Sequence, residues 1–346
     1  MYKITIIIPV YNVQNYIERC IDSIIAQESK NYHLECVLVN DCTPDRSMDI
    51  IDYKLNGYSG NIVFIVVNHD NNKGLSASRN TGIQNASGDY VLFVDSDDRL
   101  EKDALPNLVN ALDNTNTKSL VDVVMGNTFV CKNKELAMHF DNASPFFIDN
   151  SHEQALKSLL RRRLFHTAWN KLIRRDFLIN NNIVFEEGIL DEDLLWSYYL
   201  FLHARGVIII PKVTYIYEDN PGSIMNTSSD KISLIIQSRI VSCSKILTSP
   251  PKFSMLEYNM YFFFVMARAI DLFEQNKSSV NQLKKDLYHL RNTFLLKVLK
   301  KGYLIQFLFF VTSVNPFYYI YRVRWFRRYF DKIASKVLNL SIRIHK

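Results

Sequence analysis

The chain is expected to fold as an α/β protein around an open sheet, and three features of its N-terminal part predict this. Short apolar runs alternate with segments of helical periodicity, the connections between them are brief, and several runs end in polar or acidic turns. Neither a GxGxxG turn nor a P-loop lysine motif follows any run, so the dinucleotide-binding and P-loop versions of such a sheet lose their marks.

Taken in order, Ile4 to Ile8 reads as a buried strand ending at Pro9. Asn12 is placed to cap a helix reaching about Gln27, with Ile17, Ile21, Ile24 and Ile25 on one face. Leu34 to Val39 is a second strand, closed by the turn NDCTPDRS, in which Thr43-Pro44-Asp45 reads as a helix start. Ile62 to Val67 is a third, followed by the polar loop NHDNNKG and a helix from Leu75 to Asn85. Val91 to Val94, between Gly88-Asp89 and an acidic turn, is the fourth. Beyond Leu100 the pattern loosens. Ala104 to Leu112 is helical, Val121 to Met125 is a strand, and residues 130 to 165 carry no readable pattern. Leu190 to Ala204 is a helix opened by Asp191-Glu192-Asp193, acids that suit a helix N-terminus. Val207 to Ile210 and Val213 to Tyr217 read as a pair of strands around Pro211, and from about Asp230 the pattern is helical almost to the end.

The densest chemistry lies in VLFVDSDDRL, Val91 to Leu100. Asp95, Asp97 and Asp98 arrive within four residues of one another at the end of a strand, and in an open α/β sheet ligands bind outside the carboxyl ends of the strands. Hard carboxylate oxygens suit Mg²⁺ or Mn²⁺, ions that bind one or two carboxylates together with substrate phosphates. The same Ser-Asp-Asp run suits a turn or a helix N-cap, so by itself it leaves both readings open.

Composition bounds the rest. At 346 residues, 48% hydrophobic and 13% aromatic, the chain has room for two domains and ample material for a core. Its five cysteines (Cys20, Cys36, Cys42, Cys131 and Cys243) show no CxxC or zinc-like spacing, as expected of reduced cytosolic thiols. Ile4 to Val10 is too short and wrongly flanked for a signal peptide. Net charge is +6 but uneven: Leu296 to Lys346 holds eleven Lys/Arg against one acid, Asp331, which makes that tail +10 and leaves −4 for the other 295 residues. A basic tail on a mildly acidic body points to an anionic surface as partner.

With these pieces in place, the chain resembles the inverting glycosyltransferases of family 2, of the bacterial surface-polysaccharide type. The resemblance is carried by IIIPVYN (Ile6 to Asn12), VNDCTPDRS (Val39 to Ser47), NKGLSASRNTGI (Asn72 to Ile83), GDYVLFVDSDD (Gly88 to Asp98), AWNKLIRRDFL (Ala168 to Leu178) and FEEGILDEDLLW (Phe185 to Trp196). Six blocks in the family's order are specific where each alone is weak. The resemblance implies a GT-A nucleotide-sugar fold, a Rossmann-like mixed sheet with helices on both faces, over residues 1–225, followed by a helical region over 226–346. It places Pro9, Tyr11 and Asp41 around the nucleobase and ribose, Lys73 and Arg79 near the diphosphate, and Asp95 toward ribose or metal. Asp97 would coordinate Mg²⁺ or Mn²⁺, Asp193 would be the general base with Glu192 beside it, and Trp169 and Lys171 would lie near the acceptor. The second block departs from the family's two acids followed by Gly-Ser, reading Asn40, Asp41, Cys42 and Thr43, which puts base specificity in doubt more than activity.

The implied function is transfer of a hexosyl or N-acetylhexosaminyl group from a nucleoside-diphosphate donor, a UDP-sugar foremost, to a glycan or lipid-linked acceptor. Two rival classes share parts of this pattern. A metal-dependent sugar nucleotidyltransferase would use the acidic pair but not the Asp193 block, and a non-catalytic scaffold would be expected to lack Asp97 or Asp193. The tail adds an independent expectation. Gly302 to Tyr321 is a stretch of 20 uncharged residues interrupted by Gln306, Thr312, Ser313, Asn315 and Pro316, and from Arg322 a basic helix carries Phe326, Phe330, Ile333, Val337 and Leu340 at helical spacing. That composition predicts attachment to a membrane surface, the cytoplasmic face for a lipid-linked acceptor, with a bilayer span over 302–321 and a helix packed back on the catalytic domain as the alternatives; no nucleic-acid partner is expected.

Overall fold

The computed structural model describes residues 1–115, 120–132, 135–137, 144–161, 163–218, 220, 232–253, 255–275 and 283–300. Ten strands form one mixed sheet. β1 (Tyr2–Val10), β2 (Tyr32–Asn40), β3 (Val63–Asn68) and β4 (Tyr90–Phe93) are parallel and stand in the order β3-β2-β1-β4. Beyond β4 come β9 (Lys171–Arg174), antiparallel to both neighbours, then β6 (Val123–Val130), β10 (Gly206–Tyr217) and the two-residue β5 (Arg99–Leu100). β7 (Glu135–Ala137) and β8 (Phe146–Asp149) pair with β6 and β10 off this path.

The period-two alternation of the strands divides their side chains between two cores. Ile7, Val91, Phe93, Val207 and Ile209 face one side, while Ile4, Ile6, Ile8, Leu92, Ile208 and Ile210 face the other. On the second side pack α1 (Ile17–Ile25), α2 (Ser47–Asn56) and α4 (Ala104–Asp113), through Ile17, Cys20, Ile21, Ile24, Ile51, Leu105, Leu108 and Leu112. The first side is covered by α3 (Leu75–Asn85), α5 (Gln154–Leu160), α6 (Arg175–Asn180), α7 (Glu192–His203), α8 (Ile232–Thr248), α9 (Met255–Gln275) and α10 (Lys284–Lys300). Helices therefore cover both faces, as expected. Strands walk outward from β1 to β3 and then cross to the other side of β1 for β4, so the crevice where binding is favoured opens at the carboxyl ends of β1, β2 and β4.

Several local expectations change. Asn12 does not cap a helix; it holds a left-handed φ of 55°, and α1 begins only at Ile17, after a turn in which Tyr16 and Ile17 donate to the carbonyl of Val13. The first strand does not stop before Pro9 but runs to Val10. Proline, with no N–H to donate, is tolerated there because Ile7–Phe93 is the last β1–β4 pair. The two strands around Pro211 are one, β10, with register shifts between Ile209 and Val213 that absorb the proline. The acidic turn leads into β5 rather than directly into a helix. Residues 130–165 contain β7, β8 and α5, and the block from Ala168 holds β9 and α6. Among the described residues no helix is long and apolar enough to cross a membrane. The tail from residue 301 and the 225/226 boundary lie outside the described residues.

Candidate active site

Each strand end at the crevice contributes a different kind of group. Asp41, the first residue past β2, is 3% exposed and both of its oxygens are occupied. Its Oδ1 accepts from His69 Nδ1 at 2.7 Å and from the Lys73 backbone N–H at 2.8 Å, and its Oδ2 accepts from the Gly74 N–H at 2.8 Å. Asp41 thus fastens the loop between β3 and α3. Pro9 is buried beside it, while Tyr11 at the mouth is 43% exposed and the Lys73 side chain is open to solvent.

The acidic turn after β4 is divided in function by its own bonds. Asp98 is buried, accepting from Tyr215 Oη and from the Glu218 N–H, both at 2.8 Å, so it ties the turn to β10. Asp95 and Asp97 are only partly buried. Asp95 Oδ1 accepts from Arg79 Nη2 at 2.7 Å and Asp97 Oδ2 from Asn220 Nδ2 at 2.8 Å, which leaves each with an oxygen that takes no hydrogen bond from another described side chain. Burial, and then the charge of Asp95, hold Asp97 above the usual carboxylate range. A divalent cation would relieve that repulsion, and two carboxylates completed by phosphate oxygens are a donor set that Mg²⁺ and Mn²⁺ accept. No group of three or more His, Cys, Asp or Glu side chains converges on one point among the described residues, so phosphate would have to complete the set.

Arg79 links this turn to α7. Its guanidinium, 1% exposed, holds Asp95 with one terminal nitrogen and Glu192 with the other, over the ring of Phe185 at 5.2 Å. Burial works against the charge, but Asp95 and Glu192 outweigh it and keep Arg79 protonated. Phe185 itself stacks on Trp196 at 4.6 Å and meets Phe93 edge-on, so the cation rests on a rigid aromatic floor. Arg79 is accordingly spent on its own carboxylates and does not offer a free fork to a diphosphate. Glu192 is 7% exposed. Asp193, one residue on, makes no hydrogen bond in the described residues and keeps part of its surface open. Burial, then Glu192, push its carboxyl well above the ordinary range, with Arg79 opposing. The turn before α7 is braced from α8: Arg239 Nη2 meets Asp191 Oδ2 at 2.8 Å and Ser238 Oγ accepts from the Leu190 N–H at 2.8 Å.

Of the two residues expected near the acceptor, Trp169 is half-buried and stacks on Tyr215 at 4.4 Å with 10° between planes, with Tyr217 at 5.9 Å. Lys171 is fully buried, so it cannot touch an acceptor as it stands. Its ammonium donates to the Thr167 carbonyl and hydroxyl, and burial pulls it down to about 7 against the counter-pull of Asp193. The structure thus gathers Arg79, Asp95, Glu192 and Asp193 into one cluster, leaves Lys73 and Tyr11 at the mouth, and sets Asp41 and Lys171 inside the protein. His69, Tyr215 and Asn220 carry no mark as site residues in the sequence, and Asp98, one of the three clustered acids, turns out to be structural. A carboxylate at a strand end followed by a histidine at the end of the next strand was the available signal for His69. Nothing local could have found Asn220.

A parallel half-sheet crossing over at β1, with an acidic turn after β4 and a carboxylate-bearing helix across the crevice, defines the GT-A class of glycosyltransferase fold. Solved structures agree: Staphylococcus aureus TarS residues 1–349 in complex with UDP-GlcNAc superposes with a TM-score of 0.64 at 19% identity, covering 85% of this chain and 80% of that one. A mannosyltransferase from Pyrobaculum calidifontis, in complex with GDP-Man and Mn²⁺, gives 0.55 at 15% identity over 98% and 87%. The chain belongs to glycosyl transferase family 2, whose profile matches residues 5–180, about half of its length. It is 35% identical over 242 residues to the glycosyltransferase GlyA of Streptococcus pneumoniae serotype 4, a match covering 66% of this chain and 32% of that protein. The chain spans from 32% to 62% of the length of curated relatives such as GlyA and Bacillus subtilis EpsJ.

Proposed function

We propose that this chain is an inverting glycosyltransferase that moves a hexosyl or N-acetylhexosaminyl group from a nucleoside-diphosphate donor to a hydroxyl of a glycan or lipid-linked acceptor, in cell-surface polysaccharide synthesis. The observation that carries the reading is Asp193: an unbonded, partly open carboxylate of raised proton affinity, across the crevice from a nucleotide-binding strand edge. A nucleotidyltransferase has no use for such a base on the acceptor side.

The chain's own groups divide the work. Tyr11 borders the nucleobase end, and Lys73 offers its exposed ammonium to the diphosphate. Asp95 and Asp97 would hold Mg²⁺ or Mn²⁺ through their remaining oxygens, an ion that supplies charge stabilisation to the departing diphosphate. TarS crystallised with UDP-GlcNAc and the mannosyltransferase with Mn²⁺ support a UDP-sugar and a divalent ion in these roles. Asp193 takes the proton of the acceptor hydroxyl as the new C–O bond forms, and its raised proton affinity makes it a better base than an exposed aspartate. Attack from the face opposite the diphosphate inverts the anomeric carbon. Arg79 holds Asp95 and Glu192 in register, so the donor-side turn and the base helix keep a fixed separation. Trp169, stacked on Tyr215, offers a ring to an acceptor sugar. We assign residues 1–225 to the catalytic unit and 226–346 to a helical region that braces α7 through Arg239 and Ser238 and whose basic tail attaches to a membrane.

A panel of nucleotide sugars with and without Mn²⁺, read by thermal shift, tests the donor. A ligand that binds only the folded state raises its midpoint. UDP-sugars are expected to raise it in the presence of Mn²⁺ and much less with chelator. No shift with any nucleotide sugar contradicts the reading.

A further inference from the structure

We propose that His69 is a positioning residue for the donor: through Asp41 it fixes the His69–Gly74 loop, which carries Lys73 and opens α3. The proposal rests on the donor site described above and adds to it a residue that touches neither substrate nor metal.

His69 stands where three elements meet. Its backbone N–H donates to the Asn40 carbonyl at 2.9 Å, extending the pairing of β3 with β2 by one residue. Its ring, in a residue 8% exposed, reaches Asp41 through Nδ1 at 2.7 Å and Thr81 Oγ1 on α3 through Nε2 at 2.9 Å. An ionised carboxylate only accepts, so Nδ1 carries the hydrogen and the Thr81 contact sets the plane of the ring. Asp41 then spends its other bonds on the Lys73 and Gly74 N–H groups, at 2.8 Å each. Between these anchors Asp70, Asn71, Asn72 and Lys73 are all exposed, and the bonds to Asp41 are what hold this stretch among the described residues. Gly74, with a φ of 88° and open space around its Cα, supplies the left-handed turn from loop to helix.

The consequence concerns how the nucleotide is read. Asp41, 3% exposed and accepting three N–H groups, is held in one orientation by these bonds. That orientation in turn sets where Lys73 and the first turn of α3 sit relative to the diphosphate. Removing the imidazole leaves Asp41 one donor short and frees its oxygen to rotate away from Lys73. The loop then pays ordering entropy each time the donor binds.

The test uses the full chain and four variants: His69→Ala, His69→Asn, which returns an N–H near the Nδ1 position, Thr81→Val, which removes only the far bond, and Lys73→Ala. UDP, GDP, CDP and ADP are titrated with Mn²⁺ by calorimetry, and donor KM, acceptor KM and kcat are measured for each variant, with thermal melts to show folding. Expected for His69→Ala is a roughly tenfold loss of affinity for the nucleotide that the unaltered protein prefers. Donor KM should rise with it, while acceptor KM and kcat at saturating donor stay within about twofold. His69→Asn should recover most of the loss, Thr81→Val should fall between, and adding Lys73→Ala to His69→Ala should cost little more. A folded His69→Ala that binds like the unaltered protein overturns the proposal. So does His69→Asn being as weak as His69→Ala, or a fall in kcat and acceptor affinity in place of the donor effect. If the unaltered protein binds none of the four nucleotides, it is the glycosyltransferase reading that fails.

Discussion

Arg79 and the two acids beyond it decide how chemistry is divided at the scale of single residues. Glu192 and Asp193 are neighbours in sequence, yet only Glu192 is paired with Arg79, and the proposed base is Asp193, whose proton affinity burial and Glu192 raise. Asp193→Asn should therefore keep donor binding and lower turnover by roughly 10²–10⁴-fold, measured with radiolabelled donor. Glu192→Gln should instead lower stability, by about 2 kcal/mol in urea unfolding, and reduce turnover less. The reverse ranking would move the base one residue. Stability gives a second reading of the same carboxyl. Because folding raises the proton affinity of Asp193, the folded state binds the proton more tightly, and its contribution is greatest below the unfolded aspartate value and is lost as pH rises through the folded one. Asp193→Asn removes that loss, so its melting temperature should exceed that of the unaltered protein near neutral pH and approach it in acid; equal midpoints at neutral pH would show that Asp193 carries no strain. The Asp193, Asp97 and Asp95 positions were legible in the sequence because short blocks carry them. The burial of Asp41, Arg79 and Lys171 was not legible, since a charged residue reads as exposed until its partners, up to 113 positions away, are known.

At the scale of elements, α3 is the hinge between sheet and site. It matches its expected bounds, Leu75–Asn85, and presents Arg79 on one side and Thr81 toward His69. It can approach β1 closely because Gly82 has no side chain: a Cβ there would fall well inside contact distance of Ile7 Cγ2. Gly82→Ala should thus destabilise by about 1–3 kcal/mol in urea unfolding and lower turnover in the surviving folded fraction, because shifting α3 displaces Arg79. Full activity per folded molecule would show that α3 does not position the acids. The strands of the first half were readable from apolar runs. What escaped were elements whose form depends on distant pairing: β9 borders β4 and β6, and β5 is two residues set by Tyr215 and Ile216. α1 lost its expected start for the same reason. The Asn12 N–H bonds to Thr43 Oγ1 across the crevice, so a residue that suits a cap was drawn into the site's rim.

For the whole molecule, the sheet and the C-terminal helices share a core that includes Trp196, Ile246, Phe262 and Phe294, so α8 to α10 brace α7. The chain beyond Lys300, with nine Lys/Arg against Asp331, is the part from which membrane attachment is proposed. In flotation with vesicles containing anionic lipid, the full chain should bind in a salt-sensitive way and a chain ending at Lys301 should not, each cation adding up to ~1 kcal/mol; equal flotation of both forms contradicts the attachment. The central claim, however, is that Asp97 binds the donor diphosphate through a divalent ion while Asp193 waits across the crevice. It is tested most directly by calorimetric titration of UDP into the unaltered protein and Asp97→Ala, each with Mn²⁺ and with chelator. The account predicts that chelator and Asp97→Ala each weaken UDP binding at least tenfold and that the two losses do not add. Binding by the unaltered protein that ignores chelator, or Mn²⁺-dependent binding that survives in a folded Asp97→Ala, would contradict it.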